Sequence, residues 1–598
     1  MPSYRAPLRD IRFVLHELVG SSSLGSLPGY EDATPELMDA VLEEAAVLCQ
    51  EVLFPLNQSG DAEGCHFEDG TVTTPAGFRE AWDTFVSGGW TGLASAPEWG
   101  GQGLPLTLRF VLDEMICSAN LSFGMFPGLS HGAYMALTHH GSPELQQAYL
   151  PKLVDGTWAG TMCLTEANAG TDLGIITTRA EPAGDGAYHL TGSKIFITAG
   201  EHDLTENIIH LVLARLPDAP EGTRGISMFL VPKFLPTEEG KPGTRNAVTC
   251  GSIEHKMGIR ASPTCVLNFD GATGFLVGEE HKGMRAMFTM MNEERLAVGM
   301  QGLGLAEVAY QNAVQYSRER LQGRAPSGQV RPDAEADPII AHPDVRRNLL
   351  LVRTFTEGGR ALALWIATMV DTARRHPDDV RRQEADDLVA LMTPVVKAHF
   401  TDLGFEAANH ALQCFGGHGY ITEYGVEQYV RDARIGMIYE GTNGVQALDL
   451  VGRKLPMENG RPVRRYFEIV AGLVAATRDD DRTRDLSEAM ERALGKLQQS
   501  TMILAQRGMQ DPAEAAAVAT DYQRLFGTVA IGHMWLWMAK VAAEKLSAGT
   551  AGDDATFHET KLRTARFYMT KVLPQATSLG HVVQAGGAPI NDYAPELF

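Results

Sequence analysis

The sequence lacks the features that mark a secreted or membrane-spanning chain. Its seven cysteines are scattered over 598 residues, and none forms a C-x-x-C pair. This arrangement argues against a disulfide framework or a metal site and favours a reducing compartment. The N-terminal segment carries charges within its short apolar stretch and has no signal-peptide core. Because no window reaches the uninterrupted apolar length of a transmembrane span, we expect a cytoplasmic protein without membrane insertion.

Basic residues are also scarce. The chain has 51 lysines and arginines against 74 aspartates and glutamates, which gives a formal net charge of −23 at pH 7. Such a surplus of negative charge disfavours nucleic acid and anionic membranes as partners. A hydrophobic content of 44% and a charged content of 21% are those of an ordinary globular protein. The chain is too long for a single core, so we expect several domains.

Two familiar motifs are incomplete or wrongly placed. The Gly-Leu-Gly near residue 303 lies in a helical pattern without a preceding strand, so it does not predict a dinucleotide fingerprint. Residues 128–132 read G-L-S-H-G and match the nucleophile elbow of serine hydrolases. That elbow needs a strand before it, and no β-branched run precedes this segment. The sequence therefore gives little support to a serine hydrolase.

The order of helical and strand patterns predicts a mainly α protein with one β domain. Residues 1–158 read as a helical domain, and residues 159–282 read as short, turn-separated strands of a small antiparallel sandwich or barrel, with a hairpin about Thr191 and Gly192. Long amphipathic patterns over 283–460 predict a four-helix bundle. Residues 461–598 predict an additional helical domain, in which Trp535 and Trp537 are expected in the core or an interface.

The strongest candidate for chemistry is Glu440. It ends an apolar run and is followed by Gly441, Thr442 and Asn443, where a helix must break or bend. Apolar neighbours would desolvate the carboxylate and make it a better general base. A helix-end glutamate that faces water has the same local pattern, so the decapeptide alone does not decide between the two. The segment upstream, which begins with Gln413, favours the catalytic interpretation.

Several motifs in order resemble the acyl-CoA dehydrogenase family. They are the loop PEWGGQGL at 97–104, the stretch MCLTEANAGTDLG at 162–174, KIFIT at 194–198, QCFGGHGY at 413–420 and YEGTN at 439–443. The match covers roughly residues 40–455. The resemblance implies a helical domain, a small β-barrel or sandwich and a four-helix bundle, here followed by an extra C-terminal helical domain. It also implies FAD-dependent α,β-dehydrogenation of an acyl-CoA to a trans-2-enoyl-CoA.

The resemblance assigns roles to individual residues. Glu440 would take the α-proton of the substrate, while the flavin accepts the β-hydrogen as hydride. The implied FAD contacts are Met162, Leu164, Thr165, Gly170, Thr171, Phe196, Thr198, Arg320, Gln413, Gly416, Gly417, Gly441, Thr442 and Asn443. The implied substrate contacts are Thr171, Asn292, Arg295 and Glu440. Phe196 stands where the family has tryptophan, Ala167 where it has proline and Thr171 where it has serine.

The implied partners follow from the same resemblance. Arg320 would reach the FAD pyrophosphate across a subunit boundary, which requires a homodimer or a larger assembly, and an electron-transfer flavoprotein would accept the electrons. An acyl-CoA oxidase is an alternative that differs in its use of oxygen. A DNA-binding flavoprotein of this fold would need a basic C-terminal face, whereas residues 461–598 are of mixed charge. Among the longer bacterial members, the chain is similar to those that act on 3-(methylthio)propanoyl-CoA in dimethylsulfoniopropionate breakdown.

Overall fold

The computed structural model describes residues 2–598, and the chain divides into two compact units. The first, which we call the helical unit, comprises Met1–Glu44, Pro105–Ser118 and Val298–Phe598. The second, the β unit, comprises Ala45–Leu104 and Ala119–Ala297. Each unit therefore takes residues from separate stretches of the sequence, which the linear division into four segments did not anticipate.

The N-terminal part of the chain is mainly helical, as the sequence predicts. Its helices are α1 Leu8–Arg12, α2 Pro35–Val47, α3 Pro55–Glu63, α4 Phe78–Ser87, α5 Leu106–His140 and α6 Pro143–Val154, with a small hairpin of β1 His66–Glu68 and β2 Thr71–Thr73 after α3. α2 begins at Pro35, where the pair Thr34-Pro35 predicts a helix start, because threonine can cap a helix and proline suits its first position. Ser142 caps α6 by accepting a hydrogen bond from the Leu145 N–H at 3.3 Å. The G-L-S-H-G segment lies inside α5 and forms no nucleophile elbow.

Nine strands follow in the β unit. They are β3 Trp158–Cys163, β4 Arg179–Gly184, β5 Ala187–Thr198, β6 Asn207–Arg215, β7 Ile226–Pro232, β8 Phe234–Pro236, β9 Pro242–Arg245, β10 Val248–Ile253 and β11 Thr264–Val277. β11 pairs with β5, β5 with β4, β4 with β6, and β6 with β7, and β7 pairs again with β11. These five strands close a small barrel, which confirms the predicted β-barrel.

Two details of the barrel differ from the sequence prediction. β3 pairs with β6 in parallel, because it enters the sheet from α6 rather than from a hairpin. The hairpin predicted about Thr191 and Gly192 is wrong, since β5 continues through both residues and pairs with β11 along its length. A Cβ at Gly192 would lie 2.6 Å from the Thr178 Oγ1. The glycine is therefore needed for close packing and not for a turn.

The remaining helices include three of more than thirty residues. They are α7 Gly283–Glu319, α8 Pro343–Arg375, α9 Asp379–Phe415, α10 Glu427–Ala433, α11 Asn443–Asp449, α12 Arg461–Thr477, α13 Arg484–Gln510, α14 Pro512–Ala517, α15 Ala519–Ser547, α16 Gly552–Phe567, α17 Gln575–Ala585 and α18 Ala588–Asn591. Within the helical unit α8 and α9 pack together, and α15 packs against both. The C-terminal helical region therefore shares a core with the bundle.

α15 is the central helix of this C-terminal region. Its length and composition would allow it to cross a membrane, but 89% of its most apolar window is buried inside the protein, as in a core helix. Trp535 is fully buried, as predicted, and its indole N–H donates to the Thr354 carbonyl of α8 at 2.9 Å. Gly358 of α8 allows this approach, since a Cβ there would lie 2.6 Å from the indole nitrogen.

A buried ionic cluster joins distant parts of the helical unit. The Arg360 guanidinium is 1% exposed and contacts three carboxylates, and the Lys561 ammonium, also 1% exposed, contacts two. The carboxylates are Asp10, Glu114 and Glu307 for the arginine, and Asp10 and Glu357 for the lysine. The removal of one partner would leave a buried charge unpaired, which costs several kcal/mol. The cluster therefore ties α1 and α16 to the bundle helices.

Candidate active site

The backbone at Glu440 has an uncommon conformation. Its φ is 55° and that of Gly441 is 81°, so two successive residues occupy the left-handed region. A non-glycine residue there costs roughly 1–3 kcal/mol and persists only where its surroundings impose it. The two residues lie in a bend between the 3₁₀ turn Arg434–Met437 and α11. The half-buried Glu440 side chain is therefore presented by a sharp turn and not by a helix.

Gln446 holds this turn from inside the protein. It is fully buried in the first turns of α11, and its Nε2 donates to the carbonyls of Glu440 and Gly441 at 3.2 and 3.1 Å. Thr442 caps the same helix by accepting a hydrogen bond from the Val445 N–H at 3.3 Å. The two carbonyls that the left-handed residues leave outside a helix thus have partners, and the position of Glu440 is fixed.

Asn443 anchors the turn on α9. Its Nδ2 donates to the Ala398 carbonyl at 3.1 Å and to the Asp402 carboxylate at 2.7 Å, and its Oδ1 accepts from the Lys397 ammonium at 2.9 Å. Lys397 is fully buried. The side chain of Asn443, implied as an FAD contact, is thus occupied within the protein. Any contact of this residue with the cofactor would have to come from its backbone.

A second cluster of implied FAD residues lies at the end of α9. Gln413, Gly416 and Gly417 are exposed, and a Cβ on either glycine would meet nothing within 4 Å. The Tyr316 hydroxyl hydrogen bonds to the His418 Nδ1 at 2.8 Å, which brings the end of α7 to this turn. Arg320 directly follows α7 and is exposed. The helical unit therefore collects these implied dinucleotide contacts at one end of α9.

In the β unit, the loop after β3 runs beside β5. The Ile195 N–H donates to the Thr165 carbonyl at 2.9 Å, and the Lys194 Nζ donates to the Leu164 carbonyl at 2.9 Å. Phe196 has a φ of 60° and is 57% exposed, an unusual degree for a phenylalanine. The implied flavin contacts Thr165, Phe196 and Thr198 thus share one edge of the barrel.

Glu166 supports this loop from below and had no assigned role in the sequence analysis. It is 4% exposed, its Oε1 lies 2.9 Å from the Lys194 Nζ, and it accepts hydrogen bonds from the N–H and hydroxyl of Thr177 and Thr178. Burial alone would raise the pKa of Glu166, but the charge of Lys194 and these hydrogen bonds outweigh it and lower the pKa to about 2. The only feature of the sequence that pointed to Glu166 was its position next to Thr165.

The other implied contacts of the β unit differ in accessibility. Gly170 and Thr171 are exposed on the loop, and a Cβ at Gly170 would meet nothing within 4 Å. Asn292 is exposed, whereas Arg295 is 5% exposed, with its Nη1 3.5 Å from the Asn292 Oδ1 and its guanidinium 5.7 Å from the centre of the Phe288 ring. On this face of α7, Asn292 is therefore the more accessible contact for a ligand.

Each unit, taken by itself, carries features that suit part of a flavin dinucleotide. An exposed phenylalanine ring in the β unit offers an apolar face, and the open glycines at 170, 416 and 417 let a planar or phosphate group approach the backbone. Arg320 is an exposed cation four residues beyond Tyr316, whose hydroxyl hydrogen bonds to His418 in the turn that contains Gly416 and Gly417. Nucleotide phosphates bind to such donors.

Comparisons with known families match this arrangement in four consecutive stretches. Residues 36–157 match the model described as the acyl-CoA dehydrogenase N-terminal domain, residues 161–272 the middle domain and residues 281–455 the C-terminal domain. Residues 468–593 match a model described as acetyl-CoA dehydrogenase C-terminal like. The last match covers most of the additional helical region.

Full-length relatives are also similar. The chain is 44% identical to 3-methylmercaptopropionyl-CoA dehydrogenase of Ruegeria pomeroyi, over 96% of this chain and 97% of the relative. It is 36% identical to a butyryl-CoA dehydrogenase of Syntrophomonas wolfei, over 96% and 95% of the two chains. Among solved structures, Caenorhabditis elegans ACDH-11 superposes with a TM-score of 0.77 at 20% identity, and covers 95% of this chain and 92% of its own. This last likeness concerns the fold.

The chain belongs to the acyl-CoA dehydrogenase family. It is an oxidoreductase that dehydrogenates acyl-CoA thioesters, and FAD is the cofactor of this family, as the resemblance implies. Within the family it is a long member, since the relatives that it matches over their whole length include the extra C-terminal region.

The ion pair of Glu166 makes stability depend on pH. The folded-state pKa of about 2 lies below the ordinary value of 4.5, so the stabilising contribution is complete above pH 4.5 and is lost as the pH falls toward 2. We expect Glu166→Gln to lower the free energy of unfolding by about 3–5 kcal/mol near neutral pH, because Lys194 is left buried and unpaired. The difference should shrink below pH 4.5, as measured by denaturant unfolding. Glu181→Gln, at an exposed position in β4, is the control, and a pH-independent difference would contradict the assignment.

Removal of the Gln446 amide should displace Glu440, the candidate base, without removing its carboxylate. We expect Gln446→Met to lower kcat by about 10²-fold, the typical effect of a small misplacement of a catalytic group. FAD content should be unchanged, which flavin absorbance of the purified variant would test. Gln575→Met, at an exposed position in α17, should retain full activity. A Gln446→Met enzyme with kcat close to wild type would show that this contact does not position Glu440.

Proposed function

We propose that Glu440 is the general base that removes the α-proton of an acyl-CoA. The observation that carries this proposal is the left-handed turn at Glu440 and Gly441, held by Gln446 and anchored through Asn443. Strained residues cluster at active sites because the surrounding fold maintains them for function. A carboxylate on such a turn keeps one direction, which proton abstraction from carbon requires.

The α-carbon of a thioester is a weak acid, because the developing charge appears on carbon. Hydrogen bonds to the thioester oxygen lower the barrier as that oxygen becomes enolate-like. We propose that the backbone N–H of Glu440 supplies one of these bonds, so that the same residue holds the carbonyl and takes the proton. FAD, when bound, supplies the acceptor for the β-hydrogen, which leaves as hydride.

We propose that the cofactor is held by three groups of residues. The barrel edge would contact the flavin, and the end of α9 with Arg320 and the turn after Glu440 would contact the rest of the dinucleotide. The residues are Met162, Leu164, Thr165, Gly170, Thr171, Phe196 and Thr198 in the first group, Gln413, Gly416, Gly417 and Arg320 in the second, and Gly441, Thr442 and Asn443 in the third. Thr171, Asn292 and Arg295 are proposed to contact CoA.

A short acyl-CoA is the proposed substrate. The relatives from Ruegeria pomeroyi and Syntrophomonas wolfei are named for 3-methylmercaptopropionyl-CoA and butyryl-CoA, whose acyl groups are of similar size. The higher identity, 44%, favours 3-(methylthio)propanoyl-CoA and hence a role in dimethylsulfoniopropionate breakdown. A 32% identical Mycobacterium tuberculosis relative is named as broad-specificity for linear acyl-CoA, which supports the wider acyl-CoA class.

The proposed setting is a cytoplasmic homodimer that passes electrons to an electron-transfer flavoprotein. A 27% identical solved chain, with a TM-score of 0.58, comes from a study of the electron-transferring flavoprotein of Acidaminococcus fermentans, which supports this acceptor. The exposed Arg320 supports the dimer, because its implied FAD contact lies across a subunit boundary. The domains proposed are residues 1–158, 159–282, 283–460 and 461–598. Neither nucleic acid nor membrane is a proposed partner.

The replacement Glu440→Gln tests the base directly. Glutamine keeps the shape and the backbone N–H but accepts no proton, so turnover should fall by at least about 10²–10⁴-fold, the usual cost of removing a general base. FAD content and folding should be unchanged, and acyl-CoA should still perturb the flavin spectrum. The measurement is flavin bleaching after anaerobic mixing with substrate. Glu488→Gln, an exposed glutamate of α13, is the control, and bleaching within tenfold of wild type would exclude Glu440 as the base.

A panel of acyl-CoAs tests the substrate and the acceptor together. We expect kcat/KM to be highest for butanoyl-CoA and 3-(methylthio)propanoyl-CoA and to fall toward palmitoyl-CoA, with electron-transfer flavoprotein or a dye as acceptor. Oxygen should reoxidise the enzyme slowly. A steady rise of kcat/KM toward palmitoyl-CoA would contradict the proposed substrate. Stoichiometric hydrogen peroxide in aerobic turnover would instead identify an acyl-CoA oxidase.

A further inference from the structure

The chain between α7 and α8 folds into a closed loop of residues 320–342, which we call the 320–342 loop. Its two ends pair in antiparallel fashion. The Gln322 N–H donates to the Asp337 carbonyl at 3.0 Å, and the Asp337 N–H donates to the Gly323 carbonyl at 2.9 Å. The Ile339 N–H donates to the Arg320 carbonyl at 2.8 Å. The arginine proposed to bind the dinucleotide is therefore part of the base of this loop.

The interior of the loop is held by the carboxylate of Asp337, which is fully buried. Its Oδ2 accepts a hydrogen bond from the Ala325 N–H at 2.9 Å, and its Oδ1 accepts from the N–H groups of Val330 and Arg331 at 3.0 and 2.8 Å. Hydrogen bonds from the backbone, those of Ala325 and Arg331 above all, lower the pKa of Asp337 below its ordinary value of 3.8. One ionised side chain thus gathers three backbone donors from across the loop.

Two arginines of the loop differ in what their guanidinium groups contact. That of Arg324 donates to the carbonyls of Arg331, at 2.9 Å, and Ala334, and it lies 3.4 Å from the Asp337 carboxylate. That of Arg320, an exposed residue, forms no hydrogen bond or ion pair within residues 2–598. Arg324 therefore belongs to the internal structure of the loop, whereas Arg320 remains available to a phosphate.

The backbone of Arg320 is fixed from both sides. Its N–H donates to the Tyr316 carbonyl in the last turn of α7 at 2.8 Å, and its carbonyl accepts from Ile339, two residues beyond Asp337. Closing a loop costs chain entropy, and the three hydrogen bonds to Asp337 offset part of that cost. Without the carboxylate, the three N–H groups would turn to water instead. The pairing of the loop's ends would then loosen at Arg320.

We propose that Asp337 is a positioning residue for the cofactor. Its carboxylate keeps the 320–342 loop closed, so that Arg320 is held in place and meets the pyrophosphate of FAD with little loss of freedom on binding. Asp337 acts through the loop and contacts no part of the cofactor. This inference rests on the proposed role of Arg320 and goes beyond it, because it names the group that maintains the position of that arginine.

The replacement Asp337→Asn tests the proposal in the full-length enzyme. Asparagine has nearly the same shape, but its amide nitrogen cannot accept from a backbone N–H. Titration of the FAD-free enzyme with FAD, followed by flavin fluorescence, should give a Kd about tenfold above that of the wild type, as expected when a hydrogen bond to a charged group is lost. At saturating FAD, kcat should stay close to that of the wild type, because Arg320 is proposed to bind the pyrophosphate and not the reacting ring. A merely structural role would lower the Tm and leave the Kd unchanged. Asp333→Asn, at an exposed position of the same loop, is the control.

A double-mutant cycle separates this inference from the role of Arg320 on which it rests. Arg320→Gln should raise the Kd for FAD by about tenfold, and Arg331→Gln, at another exposed arginine of the loop, should not. In the Arg320→Gln enzyme, the further replacement Asp337→Asn should add little, because it acts through Arg320. Arg324→Gln, which removes a weaker contact within the loop, should show the same pattern with a smaller rise. It serves as the test if Asp337→Asn does not fold.

Each failure has its own signature. An Arg320→Gln enzyme with wild-type affinity for FAD would refute the proposed role of Arg320, and this inference with it. A raised Kd in Arg320→Gln beside an unchanged Kd in Asp337→Asn would overturn the inference alone. Effects that multiply fully in the double variant would also overturn it, because Asp337 would then act independently of Arg320.

Discussion

The left-handed backbone at Glu440 is the constraint on which the catalytic half of the helical unit depends. Glycine would adopt this φ of 55° without strain, but glycine has no carboxylate. The strain must therefore be offset by contacts nearby, and Gln446 and Asn443 supply them from α11. The partners of the Asn443 side chain lie on α9, and the fully buried Lys397 is one of them. The long, well-packed α9 is thus the element that holds Glu440, the proposed base, in position.

In the β unit, other buried polar residues fix the position of a surface loop in a similar way. The loop after β3, which is proposed to face the flavin, is rich in small and hydroxyl residues that restrict its backbone little. Order comes from beneath, where Glu166 and Lys194 form a buried ion pair and connect the loop to β5. In both units the surface segment owes its position to buried polar groups that lie beneath it.

Patterns in the sequence predicted the elements well and the exact site geometry poorly. The start of α2 at Pro35 and the turn-separated strands of the barrel follow local rules, so both were predicted correctly. Gly192 was misjudged because a glycine chosen for close packing against Thr178 has the same local pattern as a glycine chosen for a turn. Glu440 was found because the motif around it resembles a family motif. Its left-handed backbone conformation was not predicted. Gln446 was missed because nothing distinguishes it from a surface helix glutamine until its contacts are known.

The buried cluster around Arg360 has a consequence for synthesis of the chain. Asp10 accepts a hydrogen bond from the ammonium of Lys561, 551 residues later. At about 5–20 residues per second, the ribosome needs roughly 30 to 110 s to cover that interval. During this time Asp10 has been synthesised, but its cationic partner on α16 has not. The segment that holds Asp10 therefore reaches its final environment only after α16 has been synthesised, and the ionic cluster of the helical unit forms only then.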